Sequence, residues 1–308
     1  MAGEGAAMTF PARRLRRARH ALAGALLVVF AAAAAAQAVV VRDDAGTEHR
    51  FAAPPRRIVT MLPSFTATVW VLGAGPRLVG VDRYSDWPAE LAGLPRLGGL
   101  EDAQIEAIAA LKPDAILAST SSRAMERLEA LGFTIVRLKS DSYADVRRSL
   151  ELVARLLGTP QAGAAEWDRL MREVDAAAAR VPAPMRGRRV YFEIAGGPYA
   201  AGAQSFIGET LSRLGMVNIV PPELGPFPKL NPEYVVRARP QVILGVAREQ
   251  AGLVARPGWG ALAAVRDKRL CGFETPQYEM LIQPGPRMGE AARLLADCFV
   301  RLNSETAR

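Results

Sequence analysis

One phrase occurs twice in this chain. EAIAALKPDAIL begins at Glu106 and EYVVRARPQVIL begins at Glu233, 127 residues later (233 − 106). Each copy opens with a Glu in the first turn of a short helix. Each meets a Pro seven residues on and then enters an apolar run that ends in Ile-Leu. A helix–strand phrase repeated at domain-sized spacing predicts two similar lobes, and two lobes enclose a cleft in which something can bind. The two Glu residues then form a matched pair of surface charges, one per lobe, an arrangement that suits docking onto a two-fold partner.

The residues around each copy follow one order. In the first half, strands are predicted at 57–62, 78–81, 115–117 and 134–136, with helices at 65–72, 104–111 and 122–131 stopped by Gly73, Lys112-Pro113 and Gly132. In the second half, strands are predicted at 189–192, 217–220, 242–244 and 269–273, with helices at 206–214, 232–238 and 287–302. Short apolar strands alternating with helices make a parallel sheet covered on both faces. Between the halves, residues 143–180 read as two helices broken at Gly158-Thr159-Pro160. The second is a rod of roughly 30 Å at 1.5 Å per residue. The predicted fold is α/β, with two similar lobes, each a mostly parallel sheet flanked by helices, joined by one long rigid α-helix. The lobes are placed at 39–142 and 183–308, with a helical linker at 143–182.

The net charge of +8 resembles a nucleic-acid signal, but much of it is local: Arg13, Arg14, Arg16, Arg17 and Arg19 stand together near the N-terminus. An apolar run follows at 21–36 and ends in Ala36-Gln37-Ala38. Charged head, apolar middle and small-residue exit are the parts of a secretory signal peptide, assigned to residues 1–38, with an uncleaved anchor as the alternative. The mature chain is expected from near Val39, exported and soluble, without nucleic acid as a partner. No Cys follows the run, which argues against a lipid anchor. Cys271 and Cys298 are the only cysteines; in an exported chain they form one disulfide or remain two separate buried thiols.

A catalytic constellation is hard to assemble. His20 lies in the signal segment and His49 near the mature N-terminus, and there is no other His. No H-E-x-x-H, G-x-S-x-G, Walker A or C-x-x-C motif occurs, and Gly196-Gly197-Pro198 lacks the third Gly of a dinucleotide loop. No catalytic residue, metal site or cofactor is assigned, and the chain is read as a non-enzyme. Aromatic residues, in contrast, concentrate in the predicted strand-to-helix loops: Tyr84, Trp87, Tyr199, Phe227 and Tyr278. In an open α/β sheet a ligand lies outside the carboxyl ends of the strands, and aromatic faces there would pack on a large flat apolar or macrocyclic molecule. Any one of these rings more often packs on its own lobe, so the weight rests on five of them together. Arg83 and Arg287 could pair with acidic ligand groups. For Glu106 and Glu233, placement at a helix N-terminus is worth roughly 0.3–1 kcal/mol. That accounts for each separately and not for the shared spacing to Pro, which descent from a duplicated unit would explain as well.

RIVTMLPSFTATVWVLGAGPRLVGVDRYSDWP and LPRLGGLEDAQIEAIAALKPDAILAS, with GPYAAG, GPFPKLNPEYVVRARPQVI and the late GPR, resemble the periplasmic binding proteins of ABC importers that have a rigid helical backbone. Within these the sequence is most similar to the cobalamin-binding proteins. The resemblance implies two α/β lobes that bind one ligand with little hinge motion. It implies that Glu106 and Glu233 dock into arginine-lined pockets of a permease dimer with its ATPase, the binding protein being a monomer. It implies ligand packing at Tyr84, Tyr199 and Phe227. Leu100 and Ser119 stand where a Trp is typical of cobalamin binders, and Phe227 also replaces a Trp. The expected ligand is cobalamin or a related corrinoid. The alternatives are haem or an iron–siderophore complex, which relatives bind; haem would need an axial Tyr84, Tyr199 or Tyr278. An exported hydrolase and a metal-ion receptor rank lower, since the latter needs a His and carboxylate cluster.

Overall fold

The structure, a computed structural model, describes Gly3, residues 38–194, Gly197 and residues 199–306. The predicted signal peptide therefore lies, but for Gly3 and Ala38, outside the described residues. Residues from Val39 onward form one compact unit.

A leading hairpin, β1 (Val39–Arg42) against β2 (Glu48–Phe51), precedes the first lobe. That lobe runs β3 (Ile58–Thr60), α1 (Pro63–Val69), β4 (Leu78–Val81), α2 (Ile105–Ala110), β5 (Ala115–Ser119), α3 (Met125–Ala130) and β6 (Ile135–Leu138). Its strands are all parallel, in the order β4-β3-β5-β6. Helices α4 (Tyr143–Leu156) and α5 (Pro160–Arg180) follow. The second lobe begins with β7 (Arg189–Ile194), β8 (Tyr199–Ala200), α6 (Phe206–Arg213), β9 (Val217–Asn218), α7 (Pro232–Ala238) and β10 (Val242–Val246). It ends with α8 (Ala247–Gln250), α9 (Ala263–Arg266), β11 (Leu270–Phe273), α10 (Thr275–Leu281) and α11 (Met288–Thr306). Here β9, β7, β10 and β11 lie side by side in parallel, and the short β8 is antiparallel to β7.

Both sheets thus place the first strand between the second and third. The register agrees with the sequence repeat: Ala115 pairs with Ile58, and Val242, its counterpart 127 residues on, pairs with Val190. β10 is buried throughout and β5 in all but its last residue, as central parallel strands covered on both faces must be.

The structure gives a reason for the Pro end of each phrase. Helices α2 and α7 end with carbonyls that have no partner inside the helix, and an arginine at the start of each lobe's first strand supplies one. Arg57 donates from Nε to the Leu111 carbonyl at 3.0 Å. Arg189 donates from Nε and from a terminal nitrogen to the Arg239 carbonyl at 3.2 and 3.1 Å. The residue after each Pro closes the ring: an Asp114 carboxylate oxygen accepts the Arg57 amide at 2.9 Å, and the Gln241 side-chain oxygen accepts the Arg189 amide at 3.0 Å. Just before the prolines, Lys112 and Arg239 turn the chain at φ 46° and 48°, a left-handed conformation unusual for non-glycine residues. Each phrase is therefore a clamp that fixes a Glu-bearing helix to its sheet.

The long helix α5 spans 21 residues, and α4 shares its role. Tyr143, Val146 and Leu150 of α4 belong to the second lobe's core, whereas Leu152, Val153 and Leu156 belong to the first lobe's core. Helix α4 starts at a capping box in which Ser142 and Asp145 exchange hydrogen bonds. Across the lobes, the Tyr143 hydroxyl lies 2.8 Å from Thr210 Oγ1 and the Phe206 amide donates to the Asp141 carbonyl at 2.7 Å. The two cysteines are joined, Cys271 on β11 to Cys298 on α11, with Cα atoms 5.9 Å apart.

Helices α4 and α5 touch backbone to backbone at Gly163. A Cβ there would stand 2.8 Å from both the Leu150 carbonyl oxygen and the Glu151 Cα. Gly163→Ala therefore forces the helices apart. The expected loss is about 1–3 kcal/mol from overpacking, larger than the gain in helix propensity of about 1 kcal/mol. Denaturant titration of variant and parent measures it, and an unchanged or raised midpoint refutes the close contact.

Candidate functional site

The loop that follows β4 is tethered from beneath. Asp82, 1% exposed, accepts the Tyr84 amide at 2.8 Å through one carboxylate oxygen and the Ser85 hydroxyl through the other. Ser85 Oγ lies 2.7 Å from Thr66 Oγ1, which lies 2.7 Å from Thr60 Oγ1. This chain of buried hydroxyls runs from the floor of the sheet to the loop. Burial pushes the Asp82 carboxyl above its ordinary range, against the pull of the Ser85 and Tyr84 hydrogen bonds and the Arg96 charge. The tether leaves Tyr84 standing free, 62% exposed, with the Arg83 guanidinium 5.9 Å from its ring centroid. Arg83 is itself held by Asp102.

Tyr84 stands at the junction of two cavities. One, of about 250 Å³, is bounded by both lobes: Pro63, Tyr84 and Trp87 on one side, Pro276, Met280 and Arg287 on the other. The Arg287 guanidinium lies 5.0 Å from the Trp87 ring centre and is held by Glu290 at 2.9 Å. A cation over an indole, contributed from opposite lobes, closes that side of the cleft. The other cavity, of about 550 Å³, continues along the first lobe past Leu100, Glu101 and Asp102. Leu100 also lines a third cavity, of about 670 Å³, together with Ser121. Ser119, at the end of β5, is half-buried, and its hydroxyl lies 2.8 Å from that of Ser121.

On the second lobe, Tyr199 is exposed on β8 and bridges to Lys229 through the backbone. Phe227 is half-buried, 6.1 Å from the Phe206 ring. Tyr278 needs correction. It sits on α10 and not in a loop, 4% exposed, stacked on Phe192 at 6.1 Å and within the second lobe's core. Its ring is core packing and offers no surface to a ligand. What α10 does present to the cleft is Pro276, Glu279 and Met280, with Gln283 just beyond its end; none of these was singled out from the sequence. The signal for that helix was present: Glu274 and Gln277 form a capping box, and Pro276 stands in the first turn.

Glu106 and Glu233 occupy the second positions of α2 and α7, and both are exposed. Among the described residues, Glu106 has a single long contact, to Arg127 at 3.8 Å. Asn231 caps α7 by accepting the Glu233 amide at 2.9 Å.

Two lobes fixed by a shared pair of helices, around cavities lined in part by the aromatic rings of Tyr84 and Trp87, are the build of a ligand-binding receptor. The sequence matches the family described as "Periplasmic binding protein" over residues 58–275, and the chain belongs to it. That family comprises substrate-binding transport proteins and is not a class of enzymes. The chain is 26% identical over 273 residues to an uncharacterized ABC transporter substrate-binding lipoprotein of Bacillus subtilis, covering 83% of each. It is 28% identical over 269 residues to a cobalamin-binding protein of Halobacterium salinarum, covering 83% of this chain and 73% of that one. A periplasmic haem-binding protein from Pseudomonas aeruginosa superposes with a TM-score of 0.66 at 25% identity, covering 80% of this chain and 92% of that one.

The raised Asp82 carboxyl carries a sign that can be tested. A folded-state pKa above the unfolded one means that the native state holds the proton more tightly. Its contribution is present below the unfolded pKa and declines as pH rises from about 4 through the folded value. Asp82→Asn removes that decline. Denaturant titrations at pH 4 and pH 7 should show the variant improving relative to the parent at the higher pH. A parent–variant difference that is independent of pH would refute the assignment.

Proposed function

We propose that this protein captures cobalamin or a related corrinoid in the inter-lobe cleft and delivers it to an ABC permease. The observation that carries this reading is Tyr84: a ring 62% exposed, tethered from below through buried Asp82 and Ser85, at the meeting point of two cavities. A pre-organised aromatic face with open space on two sides suits a broad flat ligand that spreads beyond one ring. Trp87 and Leu100 extend that wall on the first lobe, with Tyr199 and Phe227 on the second, and Ser119 lies behind it. The cobalamin-binding relative supports the choice of ligand. Leu100 and Phe227, where indoles are typical of cobalamin binders, mean that less of the contact comes from large rings. Export through a cleaved leader and a monomeric mature protein complete the reading.

Calorimetric titration of the purified protein with cyanocobalamin tests it. Micromolar or tighter binding is expected, weakened about tenfold in Tyr84→Ala through the lost stacking surface. Absence of binding at micromolar concentration would sink the corrinoid reading. Haem is the second reading, favoured by the free phenol of Tyr84, which could serve as an axial ligand, and by the haem-binding fold neighbour. A visible absorption band on haem titration, lost in Tyr84→Phe, would select it.

Docking is separable from the ligand. Glu106 and Glu233 present one carboxylate from each lobe, and the clamps hold both helices to rigid sheets. We assign them to the arginines of a two-fold permease. Reversing both, Glu106→Arg with Glu233→Arg, sets like charges against that partner at a cost of several kcal/mol. Cellular uptake should be abolished while calorimetric ligand affinity stays unchanged. Normal transport by the double variant would refute the docking role.

A further inference from the structure

A pocket of about 680 Å³ opens in the second lobe beside the cleft loops. Tyr191, Leu230 and Val235 give it apolar surface, and among the described residues its lining holds the donors of Lys229, Asn231, Arg256 and the Trp259 indole and no carboxylate. The neighbouring buried carboxylate does not offset them all. Glu193 is taken by Arg256 through two hydrogen bonds of 2.7 and 2.8 Å, and that guanidinium lies 4.7 Å from the Trp259 ring centre. Lys229 is exposed, and no described carboxylate pairs with its side chain. Asn231 spends its oxygen on the Glu233 amide, which leaves its NH2 group free to donate. Trp259 Nε1 is buried without a hydrogen-bond partner among the described residues, and a native fold rarely leaves such a donor unmet.

One position of the repeat serves as an internal control. The repeat places Asp102 where the second lobe has Lys229. The first-lobe cavity is lined by Asp82, Glu101 and Asp102, with Arg83. At that one position of the repeat the two lobes carry opposite charge, so Lys229 is not a by-product of the shared build. The pocket also adjoins the aromatic wall, since Lys229 bridges to Tyr199.

We propose that this pocket is a subsite for an anionic arm, a carboxylate or a phosphate, of the flat ligand whose face lies on the cleft aromatics. The proposal rests on the functional reading above. An ammonium and an amide NH2 group lining one pocket with apolar walls, beside a guanidinium already held by Glu193, match a tethered oxyanion better than a neutral substituent.

Matched ligand pairs test it by calorimetry. Cyanocobalamin is compared with cobinamide, which keeps the corrin ring and lacks the phosphate-bearing nucleotide arm. Haem is compared with its dimethyl ester, in which the carboxylates are masked. With whichever parent ligand binds, Lys229→Glu should weaken affinity about tenfold or more and Lys229→Gln by a smaller factor. Both variants should bind the arm-less analogue as the unaltered protein does. A loss confined to the cobalamin pair identifies phosphate, and one confined to the haem pair identifies carboxylate. An unchanged affinity in Lys229→Glu, or an equal loss with the analogue, overturns the subsite and leaves the functional reading standing. An unaltered protein that binds neither parent overturns the functional reading and the subsite with it.

Discussion

The spacing of the two lobes depends on the backbone contact between α4 and α5. Gly163 lets the two helices approach until a single methyl group would stand 2.8 Å from the Leu150 carbonyl. Helix α4 then gives its first half to one core and its second half to the other. Neither lobe can tilt without breaking core packing in both. The Tyr143 and Trp167 rings, edge to face at 5.7 Å, cross-brace the same helix pair. A cleft framed in this way suits binding with a low ordering cost.

The two clamps extend that rigidity to the surface. Arg57 and Arg189 each tie the C-terminal end of a Glu-bearing helix to the first strand of its sheet, and Asp114 and Gln241 tie the return. Helices of six and seven residues are too short to be stable alone, so their position is imposed by these bonds and by Ile105, Ile108 and Val235 in the cores. A carboxylate mounted on such a helix keeps its place relative to the other lobe's carboxylate through an unbroken series of packed elements. This suits recognition of a partner by geometry.

Much of this was legible in the sequence because the repeat is a repeat of backbone logic. The Pro positions, the apolar runs of β5 and β10 and the break at Gly158-Thr159-Pro160 report local structure directly, and the strands and long helices fall where those signals place them. The arginine half of each clamp was hidden for a physical reason. Arg57 and Leu111 are 54 residues apart in sequence, and nothing local tells a clamping guanidinium from a solvated one. Tyr278 misled for the opposite reason. Its neighbourhood of Pro276 and polar residues resembles a loop, yet the capping box starts a helix there and turns the ring into the core. The exposure of Tyr84 could not be read either, since it depends on a hydroxyl chain reaching back to Thr60 on another strand.

Where the halves stop resembling each other, function has the better claim than folding. The clamp needs a basic or polar residue at the same places in both lobes, and both supply it. Asp102 and Lys229 carry opposite charge at one position of the layout, and Leu100 and Phe227 differ in size at another. Neither sheet requires that difference: Asp102, Leu100 and Phe227 lie on loops, and Lys229 meets β8 only through its backbone, a bridge that does not depend on the side chain. Asn231 then joins the two kinds of role in one residue. Its side chain lines the donor-rich pocket, and its oxygen holds the amide of Glu233 at the start of α7. A ligand group bonded to its free NH2 would stand one side chain away from the carboxylate that the second lobe presents to solvent.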